Sequence, residues 1–313
     1  MSHSRAGVPN IYLGTAEFAA EVLRRLAASE HRPLLVVTPP DRAKGRGRKL
    51  SPPPVAVAAR ELDLPLHQTA SVNESASREI LLGAGAEIGS VCAFGQLIAE
   101  PLLSQMPMLN VHPSLLPRWR GAAPIERAIM AGDTSTGVCI MELTEGLDSG
   151  PVALRAERPI GAAEGYREVA ADLAKLGGEL LVRALGLWAD GSLELLEQPA
   201  EGITYAEKIG PEDRRLDPAR PALELQLVVR ALTPHVGAFI ELSDGGRLGV
   251  RAATTLPGEL GSGELSEDED GRLLLGCNPG VLAITHLQPA GKRAMAAADF
   301  LRGQPLPPTL RAS

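Results

Sequence analysis

Apolar residues recur with two different spacings along the chain. Continuous apolar runs bounded by turn residues occur at "NIYLG" (Asn10–Gly14), "PLLVVT" (Pro33–Thr38), "IGSVCAFG" (Ile88–Gly95), "PMLNVH" (Pro107–His112) and "TGVCIMELT" (Thr136–Thr144). Runs of this kind predict buried strands. Between them lie segments with helical spacing. "AEFAAEVLRRLAAS" puts Phe18, Val22 and Leu26 on one face, "PVAVAARELDL" behaves alike, and "APIERAIMAGD" is a helix ending at Gly132. Strand and helix in alternation predict βαβ units around a mostly parallel sheet, an α/β, Rossmann-like domain. "EGYREVAADLAKLGGELLVRALGLWADG" (Glu164–Gly191) predicts a long closing helix, weakened or kinked at Gly177-Gly178.

From about Tyr205 the texture changes. "AFIEL", "RLGVRAATT", "GRLLLGC" and "VLAITHLQ" are short β-like runs separated by "SDGG" and "GSGELSEDEDG". Short strands at regular spacing predict a smaller β-barrel or sandwich. The boundary falls in "SLELLEQPAEGIT", giving domains 1–190 and 206–313 joined by a linker at 191–205.

Composition changes little in this picture. The 313 residues carry 44% hydrophobic and 22% charged side chains, ordinary for a globular protein. The net charge of −7 argues against a general nucleic-acid binder, although not against a local basic patch. Cys92, Cys139 and Cys277 form no CxxC pair, and no apolar leader or spanning segment stands out. A reduced, cytoplasmic protein is the expectation.

Candidate chemistry starts at a strand end. In a parallel α/β sheet, ligands bind outside the carboxyl ends of the strands. Asn110 and His112 lie at such an end, two apart on extended chain and therefore on one side. The next strand runs into "TEGLDSG", with Asp148 between glycines. An amide, an imidazole and a carboxylate could together stabilise an oxyanion and move a proton. Structural roles compete with that reading: a strand-end histidine often only holds backbone, and Asp between glycines often only makes a turn. His67, His112, Cys92 and Asp148 could ligate a metal, but none shows metal-ligand spacing. Cys92 and Cys139 lie in apolar strands, where a thiolate is disfavoured.

A second feature is basic. Between Asp41 and Lys49 stand Arg42, Lys44, Arg46, Arg48 and Lys49, fenced by prolines. Such a segment predicts an exposed cationic loop, and RNA backbone is its natural partner in an otherwise acidic chain. Neither a dinucleotide-binding nor a P-loop glycine pattern is present.

"LNVHPSLLPRWRGAAPI" together with "GLDSG" resembles the folate-dependent formyltransferases. The resemblance implies catalytic roles for Asn110, His112 and Asp148, with a gap of 36 residues from His112 to Asp148 (148 − 112). It implies 10-formyltetrahydrofolate as formyl donor and no metal. Ser114, Leu115, Leu116 and Pro117 would contact the folate, and the main chain around Phe94 and Gly95 would hold its pterin. Arg118 and Arg120 in "RWRG" could meet RNA or brace the loop. The basic segment, "TYAEKI" (Thr204–Ile209) and "LQPAGKRAM" (Leu287–Met295) resemble the branch that formylates methionine carried on initiator tRNA. For that branch the resemblance implies an OB-like C-terminal domain that binds tRNA. Here residues 206–313 hold twelve Lys/Arg against fourteen Asp/Glu. Their RNA face is therefore expected to be local: Lys208, Arg214, Lys292 and Arg293. A monomer is expected, since no heptad or amphipathic seam suggests an interface.

Overall fold

A computed structural model describes residues 7–44 and 49–303. Its elements, in chain order, begin with β1 (Asn10–Gly14), α1 (Glu17–Ala27), β2 (Leu35–Thr38), β3 (Arg42–Lys44), β4 (Lys49–Ser51) and α2 (Pro54–Glu61). Next come β5 (Leu66–Gln68), α3 (Ser75–Gly83), β6 (Ile88–Cys92), α4 (Glu100–Leu103), β7 (Met108–His112) and β8 (Arg120–Gly121). Then follow α5 (Pro124–Met130), β9 (Ser135–Glu142), β10 (Val152–Pro159), α6 (Tyr166–Ala189) and β11 (Tyr205–Ala206). The chain closes with α7 (Ala222–Leu232), β12 (Ala238–Glu241), β13 (Arg247–Leu256), β14 (Leu265–Glu267), β15 (Leu273–Gly276), β16 (Val281–Pro289), β17 (Met295–Ala296) and α8 (Ala297–Gly303). Contacts divide it into two compact units, one of 1–121, 135–158 and 170–205, the other of 122–134, 159–169 and 206–313. Residues 191–205, expected as a linker, pack with the first unit, and α5 packs with the second.

The first unit is built on a seven-stranded sheet of order β10-β9-β7-β6-β1-β2-β5. Strands β5, β2, β1, β6 and β7 are parallel, and β9 runs antiparallel to β7. Every residue of β1, β2, β6 and β7 is buried, as expected for parallel strands covered on both faces. Ile11, Leu13, Val37, Val91, Phe94 and Met108 share one core. The α1 helix buries Val22, Leu23 and Leu26 completely, each contributing roughly 1.5–3 kcal/mol.

Three local expectations change. The sixth strand stops at Cys92 instead of Gly95, because Ala93 (φ 42) and Gly95 (φ 74) leave the extended region. The basic segment is a β-hairpin rather than a plain loop: β3 pairs antiparallel with β4, setting Arg42 opposite Ser51 and Ala43 opposite Leu50. Helix α6 runs unbroken for 24 residues through Gly177-Gly178. These glycines serve close packing. A Cβ at 177 would lie 2.8 Å from a Val111 methyl, and one at 178 would lie 2.7 Å from Arg25 Cδ.

The contact on Val111 has a measurable consequence. In a free helix Gly→Ala adds about 1 kcal/mol of stability. Gly177→Ala is instead expected to lower Tm, with overpacking costing about 1–3 kcal/mol. Activity should fall as well, since Val111 lies between Asn110 and His112. A Tm above wild type would contradict this packing.

The second unit holds an antiparallel sheet of order β12-β13-β16-β15-β14, with β17 on β16. Helix α7, which the sequence reading missed in favour of strands, packs on β13 and β16 and beside α5. Its buried residues Leu225, Val228, Val229 and Leu232 recur at helical spacing. Strands β12, β13, β15 and β16 coincide with the four β-like runs, whereas β14 lies within "GSGELSEDEDG", expected as a turn, and β17 lies outside them.

Candidate active site

The site grows from the end of β7. Val111 faces Gly177 of α6, so strand alternation turns Asn110 and His112 to the opposite face. Both are buried. Asp148 arrives from the β9–β10 connection with φ 45. Gly150 makes this tight turn possible, since a Cβ there would lie 2.0 Å from the Glu142 carbonyl oxygen. The three side chains converge. Asn110 Nδ2 lies 3.5 Å from Asp148 Oδ1, and His112 Nδ1 lies 3.6 Å from Asp148 Oδ2. Gly121 N–H donates to the same Oδ2 at 2.8 Å.

The loop after β7 curls back over its own strand. Ser114 N–H donates to the His112 carbonyl, and Ser114 Oγ–H to the Arg118 carbonyl at 2.7 Å. Trp119 N–H donates to Thr204 Oγ1, and Arg120 N–H to the Thr204 carbonyl. This return places the Trp119 carbonyl oxygen 2.9 Å from His112 Nε2. A carbonyl can only accept, so Nε2 carries the proton. In the neutral imidazole, Nδ1 is then the lone-pair nitrogen, and it faces Asp148. Protonation at Nδ1 would create an ion pair with the carboxylate.

The open question about "RWRG" resolves for one arginine. Arg120 is buried and forks onto Gln198 Oε1 at 3.1 and 2.7 Å. Gln198 Nε2 in turn donates to the carbonyls of Asp148 and Gly150, at 2.9 and 2.8 Å. Arg120 is thus a brace for the Asp148 turn. Arg118 lies over the Trp119 ring, 4.3 Å from its centroid. Gln198 is a positioning residue that sequence reasoning missed. It lies 50 residues after Asp148, inside the expected linker, and no local pattern marks it.

The expected folate contacts divide. Phe94 is buried in the core, while the neighbouring Ala93 and Gly95 are exposed, so this turn offers main chain. Ser114 has its hydroxyl committed to Arg118. Leu115 packs over Gly137, Leu116 sits with Cys139 and Met141, and the Pro117 carbonyl accepts Thr204 N–H. The leucines face β9, and Leu115 and Pro117 remain partly exposed. Of the basic residues, Arg42 is exposed, and the hairpin base is tied where Gln68 Nε2 donates to Asp41 Oδ1 at 2.9 Å. Lys44 and Lys49 are placed by main chain only, and Arg46 and Arg48 lie outside the described residues. In the second unit Lys208, Lys292 and Arg293 are exposed, whereas Arg214 is half-buried and donates to the Val236 and Gly237 carbonyls.

Other chemistry finds no support in the geometry. Burial pushes the Cys92 thiol up to about 12 and the Cys139 thiol to about 11, so neither supplies a thiolate near neutral pH. His67 bonds Ser77 Oγ, and no group of three potential metal ligands assembles among the described residues. No helix among them is long and apolar enough to cross a membrane.

Comparison with known proteins decides the family. The model of the formyl transferases matches residues 8–185, and that of the formyl transferase C-terminal domain matches residues 208–305. The chain belongs to the formyl transferase family. Among curated members, the methionyl-tRNA formyltransferase of Sinorhizobium medicae is 42% identical over 301 residues, covering 95% of this chain and 96% of that protein. That of Parvibaculum lavamentivorans is 40% identical over 302 residues, covering 95% and 97%. Solved formyl transferase folds are more distant. HypX from Aquifex aeolicus, in complex with tetrahydrofolic acid, superposes with a TM-score of 0.67 at 17% identity, over 94% of this chain and 47% of that one. The N-formyltransferase from Helicobacter canadensis, in complex with folinic acid and dTDP-3-aminofucose, gives 0.65 at 14%, over 88% and 98%.

Proposed function

We propose that this protein transfers the formyl group of 10-formyltetrahydrofolate to the α-amine of methionine esterified to initiator tRNA, preparing it for translation initiation. The relation at 42% identity over 95% of the chain carries this reading. In it, the first unit, with 191–205 packed into it, performs the chemistry and holds the folate, and residues 206–313 hold RNA. The protein works as a cytoplasmic monomer, and no metal takes part.

The trio suits an amine attacking a formyl carbon. Asn110 has one Nδ2 hydrogen toward Asp148 and a second left to donate to the formyl oxygen as it gains negative charge. His112, with Nε2–H fixed by Trp119, offers Nδ1 as a base beside Asp148. The proton lost by the attacking amine passes to this His112–Asp148 pair. The same proton is returned to the departing folate nitrogen, so no net proton is gained by the enzyme. Main chain at Ala93–Gly95 and Ser114–Pro117 meets the polar edges of the folate, and the exposed Leu97 and Leu147 supply apolar surface.

Incubating the protein with 10-formyltetrahydrofolate and charged initiator tRNA should yield formyl-methionine after deacylation. Formylation of a nucleotide-linked amino sugar, with none of the tRNA, would overturn the reading. The hairpin gives a finer test. Arg42→Ala should lower kcat/KM for the charged tRNA about tenfold and reduce the salt slope of tRNA binding by about 0.9, as for one lost phosphate contact. Folate binding should not change. Equal losses for both substrates would remove Arg42 from the RNA interface.

A further inference from the structure

The C-terminal residues are acidic in sum, yet one cavity of the second unit is cationic. About 470 Å³ opens between Gly165–Glu168, α7 and β13, and its walls carry Arg167, Arg230 and Arg251 against one carboxylate, Glu168. That carboxylate is engaged in accepting Gly165 N–H.

Arg251 is placed by several independent devices. It is the extra residue of a β-bulge, since β13 pairs with β16 through Val250 opposite Leu287 and then Ala252 opposite His286. Bulges of this kind re-aim a side chain. Its Nε donates to Gln288 Oε1 at 2.9 Å and its Nη2 to the same oxygen. Gln288 is itself held by donation from Nε2 to the Lys292 carbonyl at 2.8 Å. Gly237, at φ +79, clears the space, because a Cβ there would lie 2.0 Å from Arg251 Nη1.

Arg230 is fixed similarly, with Nε donating to the Glu164 carbonyl at 2.9 Å and Nη2 to the Glu164 and Gly161 carbonyls at 2.7 and 3.1 Å. Arg167 is exposed at the rim. The hydrogen bonds that fix Arg230 and Arg251 go to neutral oxygens and leave N–H groups unspent; the Glu164 carboxylate acts on Arg230 as well. Among the described residues, neither Arg167 nor Arg251 pairs with a carboxylate. Thr233 also lines the cavity, and its Oγ1 is buried with no partner among the described residues. Planar guanidinium groups held by neutral acceptors, next to an unmet hydroxyl, suit a multiply hydrogen-bonded oxyanion.

We propose that this cavity is a phosphate-binding site, and that it receives backbone phosphodiesters of the RNA substrate. The RNA half of the proposal rests on the function proposed above. The cavity is much larger than one phosphate, which favours a stretch of backbone over a free ion. It gives the acidic second unit an RNA contact that differs from the exposed Lys208 and Lys292-Arg293 positions.

The test uses the full-length protein with Arg251→Gln and, at the exposed rim, Arg167→Ala. Each should weaken binding of charged initiator tRNA about tenfold and lower the log–log salt slope by about 0.9. Folate binding, and kcat at saturating tRNA, should stay within twofold. Arg251→Lys should restore part of the affinity. Wild-type tRNA affinity in both variants would overturn the proposal. Calorimetric titration with inorganic phosphate distinguishes the source of the ligand. Tight phosphate binding that leaves tRNA affinity unchanged would assign the cavity to a small phosphate and overturn the RNA half. Formylation of charged tRNA by the wild-type preparation reports separately on the underlying function.

Discussion

Asp148→Asn is expected to reduce kcat by about 10²–10⁴-fold, the range for losing a positioned proton-transfer group. KM for both substrates and the melting temperature should change little, because the substitution is nearly isosteric. The effect has two physical parts. The new amide must keep its oxygen at the position that accepts Gly121 N–H, and this sets its NH₂ where Oδ1 now faces Asn110 Nδ2. Two donors would then meet, and Asn110 would have to flip its own amide. His112 simultaneously loses the negative charge that faces its Nδ1. Single-turnover rates would isolate the chemical step, and a loss below tenfold would remove Asp148 from proton handling.

Asn110→Ala is expected to lower kcat about 10²–10³-fold, corresponding to about 2.7–4 kcal/mol for one oxyanion donor. The loss should appear in kcat rather than in KM, because the hydrogen bond strengthens only as negative charge develops. Asn110→Asp makes the sharper comparison. It sets a second carboxylate where the amide is now 3.5 Å from Asp148, and like charges so close raise the pKa of one of them. Below that raised pKa the carboxyl is protonated and can donate. Activity of Asn110→Asp relative to wild type should therefore rise as pH falls, a trend that Asn110→Ala cannot show. A flat ratio across the pH range would mean that position 110 does not donate to the reacting oxygen.

Much of this protein is legible in its sequence, and the boundary of legibility has physical causes. Buried strands such as β1, β6 and β7 are continuous apolar runs, so periodicity finds them, and Asn110 and His112 are conspicuous as polar residues at a strand end. Asp148 was found because glycines flank it. Helix α7 was missed because a strand-like texture surrounds it and its apolar content is high. Gly177 and Gly178 read as a weakness because a sequence does not show what stands opposite a glycine. In the fold, Val111 and Arg25 stand there. Gln198 and the bracing role of Arg120 were illegible for a related reason. They act through carbonyl oxygens brought close by chain return, and such partners leave no mark in residue type. In the segment after β7, Ser114 and Leu116 are buried and Leu115 packs over Gly137, packing that residue type alone does not show.

The Trp119 carbonyl beside His112 has a wider consequence. The tautomer of the imidazole is set by main chain, at a residue with φ of 64 whose own N–H is held by Thr204 Oγ1. No side chain encodes it. With the loop open, the ring would sample both tautomers, and the site would hold every required residue yet lack its address for the proton. On the proposed mechanism, competence is conditional on local order: a single peptide-bond cut between Pro113 and Arg118 is expected to silence the enzyme while leaving the trio chemically intact.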